Sequence, residues 1–207
     1  MTYYDFIKRL AGEVNIPEIF PDSDMDIAVA VQHLGRVHTA VLVVSGDVPA
    51  KRLPTEERSL TTREQGTLNY AELPGNLLIE RFDHGIAALL FNGNPYDLSA
   101  GYSYSFSHLE AAVNVFQQDV PHATLRVNEH RVYFVNADSV RIQYVPRPDM
   151  PLPEDFVEKD VPLHGNDIEV AIQLVSSHLT GNTGGDPQLA AMHQQFAMLY
   201  QNNSVGA

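Results

Sequence analysis

Aspartates 22, 24 and 26, in "DSDMD", repeat the spacing that opens a helix–loop–helix calcium site. Such a loop needs glycine at its sixth position and a bidentate glutamate at its twelfth. Here those places hold Ile27 and His33, so the acidic run reads instead as a helix N-cap, where negative charge is stabilised by the helix dipole. The 9 histidines invite a metal or acid–base reading, and their spacing decides against it. His33 and His38 stand five apart on a helical pattern and do not share a face as an i, i+4 pair would. His84, His122, His130 and His164 fall at turns or segment edges with no acidic partner at a recognised spacing. The glycine-rich "GNTGGDP" lacks the Lys-Ser/Thr of a phosphate loop and does not follow a strand, which makes it a turn between helices. The serines form no G-x-S-x-G elbow. With no cysteine, a thiolate nucleophile, a thiolate metal site and a disulfide framework are all excluded. No catalytic, cofactor-binding or metal residue is therefore assigned, and the chain is not read as an enzyme. Triads assemble from residues far apart in sequence, so a cytoplasmic hydrolase using His and Asp stands as the alternative from another class.

The elements that would position any site come in a distinctive order. Residues 2–13 form a short amphipathic helix, with Tyr3, Phe6, Ile7 and Leu10 on one side. A second helix follows the Asp/Ser cluster, carries Ile27, Val31, Leu34, Val41 and Val44 on its apolar stripe, and stops near Ser45-Gly46. Its valine-rich end, 41–44, also suits a strand. Residues 46–65, with two prolines and mixed charge, read as a long loop of the kind that is functional or ordered by a partner. Beyond Gly66 the period shortens to that of strands, at 66–72, 77–82 and 86–91, with a turn at Asp83-His84-Gly85. Ser107 and Glu110 make a capping box that opens a helix over 107–119. "ATLRVN", "RVYFVN" and "SVRIQYV" then read as a three-stranded meander, the last with Val140, Ile142 and Tyr144 on one face.

After Pro146, Pro148, Pro151 and Pro153, two helices close the chain. One starts near Asn166 and buries Ile168, Ile172, Val175 and Leu179. The other is capped by Asp186 and carries Leu189, Met192, Phe196, Leu199 and Tyr200 along one side. The expected fold class is α+β: a helical bundle formed by the N- and C-terminal helices, 1–65 and 154–207, with a small antiparallel β lobe, 66–153, inserted into it. The prolines stiffen the crossing back from lobe to bundle.

The 207 residues, 44% of them hydrophobic, are enough for one sizeable core or two small lobes. No stretch approaches the roughly 18 apolar residues of a membrane span, and the N-terminus lacks the apolar centre of a signal peptide, so the chain is expected to be soluble. The net charge of −13, with the basic residues scattered, argues against a sequence-specific nucleic-acid reader. It suits either a well-solvated surface or one that stays close to DNA without gripping it.

The order of elements resembles the head-to-tail connector, or adaptor, proteins of tailed bacteriophages. The matching pieces are "GTLNYAELPGNLLIERFDHG", "RVYFVNADSVRIQYVPRPDMPLPEDF" and "DIEVAIQLVSSHLTGN" with "LAAMHQQFAMLY". The resemblance implies a structural protein of the virion neck, made in the cytoplasm of a bacterial host. It would form a closed ring, often a dodecamer, joined to the portal protein on one side and a downstream neck or tail protein on the other. DNA would pass through an acid-lined lumen without sequence-specific binding, and no membrane would be involved. The long loop 46–65 and the chain's C-terminal end are the implied docking elements, with Phe196, Met198 and Tyr200 at the end of the last helix as candidate contacts. The same stripe spacing equally suits bundle core. A neck stopper or tail-completion protein, and a monomeric interaction module, are the remaining alternatives.

Overall fold

A computed structural model describes residues 1–14, 27–79, 81, 83–96, 109, 121–182 and 184–204. The acidic cluster at 22–26 and the expected helix over 107–119, apart from Leu109, lie outside the described residues. The chain divides into two compact units. One consists of Met1–Val48 and Pro148–Ala207, the other of Pro49–Arg147. Each crossing enters a proline, Pro49 or Pro148, which cannot donate a backbone hydrogen bond and so interrupts whatever element precedes it.

The first unit is helical. Helix α1 (Tyr3–Val14) buries Tyr3, Phe6, Ile7, Leu10 and Ala11, the amphipathic stripe read from the sequence. A capping box starts it: the Asp5 N–H donates to Thr2 Oγ1 at 3.1 Å, and the Thr2 N–H donates back to the Asp5 carboxylate at 3.3 Å. Helix α2 (Ile27–Asp47) runs through the valine-rich stretch, which is helix and not strand. From Leu34 to Ser45 it is buried on nearly every side. An apolar run without polar alternation is what a central helix requires, and α2 packs against α1, α3 (Asn166–Thr180) and α4 (Pro187–Ser204). Helix α3 ends at Gly181 in the left-handed conformation. Helix α4 is capped by Asp186, whose Oδ1 accepts from the Gln188 N–H at 2.8 Å and the Leu189 N–H at 3.3 Å. Arg9 of α1 forms a two-pronged hydrogen bond to the Glu169 carboxylate on α3.

The described residues of the second unit form eight strands in two antiparallel sheets. The first sheet has the order β1 (Glu56–Leu60), β8 (Val140–Tyr144), β4 (Ile86–Phe91), β5 (Asn94–Tyr96); the second runs β2 (Thr62–Gln65), β3 (Leu68–Glu72), β7 (Arg131–Val135), β6 (His122–Arg126). Inner-face residues of both sheets share one core: Ala71, Ala123, Val132 and Phe134 from one, Leu89, Phe91, Val140, Ile142 and Tyr144 from the other. The Phe91 and Phe134 rings meet across it at 5.2 Å. Each such ring is fully buried, worth about 1.5–3 kcal/mol of transfer free energy. Strand β7 is buried on both faces. Its Tyr133 and Val135 pack on the opposite side with Leu68 and Leu109.

Three expectations are corrected. Residues 46–65 are not a long loop: they hold a short 3-10 turn, Ala50–Arg52, and strands β1 and β2. "EERSL" and "TREQ" show no apolar alternation because both are exposed edge strands, and charge along an edge discourages further strand addition. The β unit accordingly begins at Pro49. The three strands after 121 are not a meander, because β7 pairs with β6 while β8 crosses to the other sheet between β1 and β4. Finally, the described residues of the expected strand 77–82, which are 77–79 and 81, do not form a regular strand. Leu77 makes one isolated bridge to Pro146, and the Leu78 N–H donates to the Val145 carbonyl at 3.1 Å.

Candidate functional site

Among the described residues no three His, Asp or Glu side chains are grouped to hold a metal ion. His84 and His130 occupy turn positions with φ of 54° and 55°. His38 is buried on α2, and desolvation, reinforced by the charge of Lys159 and opposed by Asp149, pushes its pKa down to about 4. His178 of α3 lies among aromatic rings of α4, with His193 at 5.6 Å, Phe196 at 4.7 Å and Tyr200 at 5.6 Å. Burial, then the proximity of His193 and Arg36, lower its pKa as well. Both imidazoles are therefore held neutral near neutral pH, the state that suits a packed interior.

The proposed docking residues separate. Phe196 is fully buried, stacked on Tyr200 at 5.9 Å and against His178, so it belongs to the helical core and offers no surface to a partner. Tyr200 is half-buried beneath the Arg36 guanidinium, 5.5 Å from the ring centroid. Met198 alone projects outward, 63% exposed.

Two further surfaces stand out. The first is a groove of about 260 Å³ in the β unit, where β1 ends one sheet and β2 begins the other. Leu60, Leu73 and Pro74 contribute apolar lining, and Arg58, Arg63 and Glu72 the charge. Arg58 stands opposite Ile142, on the face of β1 that turns to the core, yet it lies at the open edge and is exposed. Arg63 reaches Glu72 at 3.2 Å, and Arg131 approaches the same carboxylate at 3.8 Å. Arg58 and Arg63 against Glu72 leave the lining one charge positive, while Glu56, Glu57 and Glu64 stand exposed on the same two strands, so the surface around the groove is mixed in charge.

The second surface is the segment after the crossing at Pro148. It presents Met150 and Leu152, 54% and 57% exposed, between the exposed acids Asp149, Glu154 and Asp155. Buried Phe156 anchors it: the Phe156 N–H donates to the Leu152 carbonyl at 3.2 Å, and the Tyr4 N–H donates to the Phe156 carbonyl at 3.2 Å. At the other end Lys159 Nζ donates to the Asp149 carbonyl at 3.4 Å. Pro151 and Pro153 limit its backbone freedom further. The sequence signalled the stiffness of this segment through its prolines. It did not signal the groove, because Arg58, Ser59, Leu60 and Arg63 come from strands that look like loop when read alone.

No protein-family model matches the chain, and no curated protein matches it. No helix among the described residues is long and apolar enough to cross a membrane.

Proposed function

We propose that this chain is a structural protein that forms the ring of a head-to-tail adaptor in a tailed bacteriophage, joining the portal to the tail and surrounding the DNA channel. The observation that carries the reading is topological. The two ends of the chain build one helical unit, and an antiparallel β unit is inserted between Val48 and Pro148. That is the element order on which the resemblance rests. The charge supports it: a net −13 with exposed Glu56, Glu57, Glu64, Glu154, Asp155 and Glu158 gives acids for a lumen that phosphate would not adhere to. In a closed ring each copy uses two different faces, one toward each neighbour, and rotation closes the set.

Negative-stain imaging of the purified chain, alone and mixed with the portal protein encoded beside it, tests this. Closed rings, free or seated beneath the portal, are the expected result. A chain that stays monomeric at high concentration and does not bind that portal would sink the reading.

A further inference from the structure

We propose that α4 is a helix released by mild acid: charging His178 and His193 beside Arg36 loosens its hold on α2 and α3 while the rest of the helical unit stays folded. The inference stands apart from the adaptor reading and holds equally for a ring or a single chain. Its basis is a cluster of basic side chains that three helices bring together. His178, in the last turn of α3, lies 5.6 Å from the His193 ring of α4, and 4.7 and 5.6 Å from the rings of Phe196 and Tyr200. From α2, Arg36 covers the Tyr200 ring at 5.5 Å, and its Nη1 lies 3.5 Å from His33 Nδ1. Tyr200 also packs over Gly35, 3.8 Å from where a Cβ would stand. Arg36 Nε and His193 Nε2 are buried and meet no hydrogen-bond partner among the described residues.

The carboxylates of these helices lie elsewhere. Helix α4 has no Asp, Glu, Lys or Arg of its own, and its cap, Asp186, stands about 10 Å along the axis before His193. On α3, Asp167 and Glu169 lie in the first turn, more than about two turns from His178, and Glu169 is engaged by Arg9. On α2, Asp47 is the final residue, about three turns beyond Arg36. A proton on His178 therefore puts a second cation near Arg36, and one on His193 a third, in a part-buried site. The Phe196 ring and the carboxyl end of α3 favour charge on His178. Burial, His193 and Arg36 oppose it and prevail, holding the His178 pKa below its ordinary value. The closed contact thus loses stability as the pH falls from the ordinary 6.5 through that lowered value. The helix that yields is the one least anchored. Between Pro187 and Gln201 α4 buries only Met192 and Phe196, whereas α1 buries five side chains and α3 seven.

Amide exchange of the full-length chain tests this, read by mass spectrometry at about pH 7.5 and about pH 5.5, either side of the ordinary histidine value, and corrected for intrinsic rate. The protection of α4 relative to α1 is expected to fall about 5-fold or more across that interval. Taking the ratio removes any loss shared by the whole unit, including that from His38. In the double variant His178→Gln/His193→Gln the ratio should change by under about 2-fold. Arg36→Met keeps an apolar stem over Tyr200 and removes the charge, so the ratio should fall less than in wild type. The unaltered chain supplies a check free of substitution: the His178 ring protons, followed by NMR, should titrate below 6.5. A wild-type ratio that does not move with pH, one that falls as far in the double variant, or His178 titrating at 6.5 or above overturns the proposal.

Discussion

Asp83 holds Arg81 through both carboxylate oxygens: Arg81 Nε donates to Oδ1 at 2.9 Å and Nη2 to Oδ2 at 3.2 Å. The same oxygens accept the Gly85 N–H at 3.0 Å and the Ala50 N–H at 2.7 Å. One carboxylate thus ties the entry of the β unit to the turn that launches β4. Desolvation works to raise the Asp83 pKa, but these hydrogen bonds outweigh it and hold the carboxyl below its ordinary range. The Arg81 side chain is buried, and Asp83→Asn would remove the carboxylate charge that its Nε and Nη2 meet, at a cost of about 3 kcal/mol. Amide exchange in β4 should accelerate about 100-fold, the factor to which that energy corresponds. Because the folded pKa is depressed, the wild-type contribution is present above the unfolded value and is lost as pH falls below about 4. Unchanged exchange in Asp83→Asn would show that the turn holds without the carboxylate.

Glycines in the β unit should rank by geometry. A Cβ on Gly85 would stand 2.6 Å from the Leu78 carbonyl oxygen, and its φ is +69°. Gly66, in the β2–β3 turn, has φ of +64° but open space around it. Gly75 meets nothing and lacks positive φ. Alanine should cost about 1 kcal/mol at Gly66, more than about 2 at Gly85 and under about 0.5 at Gly75. Denaturation midpoints of the three variants check the order, and Gly66→Ala equalling or exceeding Gly85→Ala would contradict the close approach to Leu78.

Tyr3 is fully buried, and its hydroxyl has no hydrogen-bond partner among the described residues. Burial accordingly pushes its pKa well above the ordinary tyrosine value. Removing an unpaired buried hydroxyl relieves a desolvation penalty, so Tyr3→Phe should stabilise the helical unit by about 1 kcal/mol. A loss of stability in a urea melt would mean the hydroxyl is satisfied by a bound water.

His38 sets a pH dependence with a defined sign. Its folded pKa of about 4 lies below the ordinary 6.5, so between those values the unfolded chain binds the extra proton. Stability of the helical unit should be intact above pH 6.5 and fall as the pH drops toward 4, by up to about 3 kcal/mol. His178, lowered for the same reason, adds to the effect in the same direction. His38→Leu should flatten the slope of urea midpoint against pH in that window. A slope as steep as wild type would assign the dependence to other groups.

Some of this architecture was legible in the chain and some was not. The helices were legible because each carries a local cause: the stripe Phe6–Ile7–Leu10, the Asp186 cap, Gly181 as terminator. So was β8, whose alternation of buried Val140, Ile142 and Tyr144 with exposed Arg141 and Gln143 is intact. Strands β1 and β2 were illegible because an exposed edge strand has no buried face to impose a period. Sheet membership was illegible for another reason. Whether β8 follows β7 or crosses to β4 depends on pairing between residues some fifty apart, such as Phe91 with Val140. Yet one long-range clue was readable. Asn92-Gly93, both at positive φ, form the two-residue hairpin turn, and Asn92 Oδ1 accepts the Asp138 and Ser139 N–H groups at 2.9 and 3.1 Å. The Arg81–Asp83 pair and the arginine groove left no such mark, since neither charge type nor short spacing announces burial.

Phe196 and Met198, two residues apart on α4, should separate stability from docking. Phe196 fills the space among His178, Tyr200 and the neighbouring helices, and Phe196→Ala should cost about 3–5 kcal/mol. Met198 is exposed, so Met198→Asp should alter the unfolding midpoint by under about 0.5 kcal/mol. If the end of α4 meets the portal, a carboxylate at 198 would need desolvating in the contact, and binding should weaken about 10-fold or more. A pull-down or titration with the portal protein measures this on a variant whose fold is intact. Equal binding by wild type and Met198→Asp would remove the helix end from the docking surface.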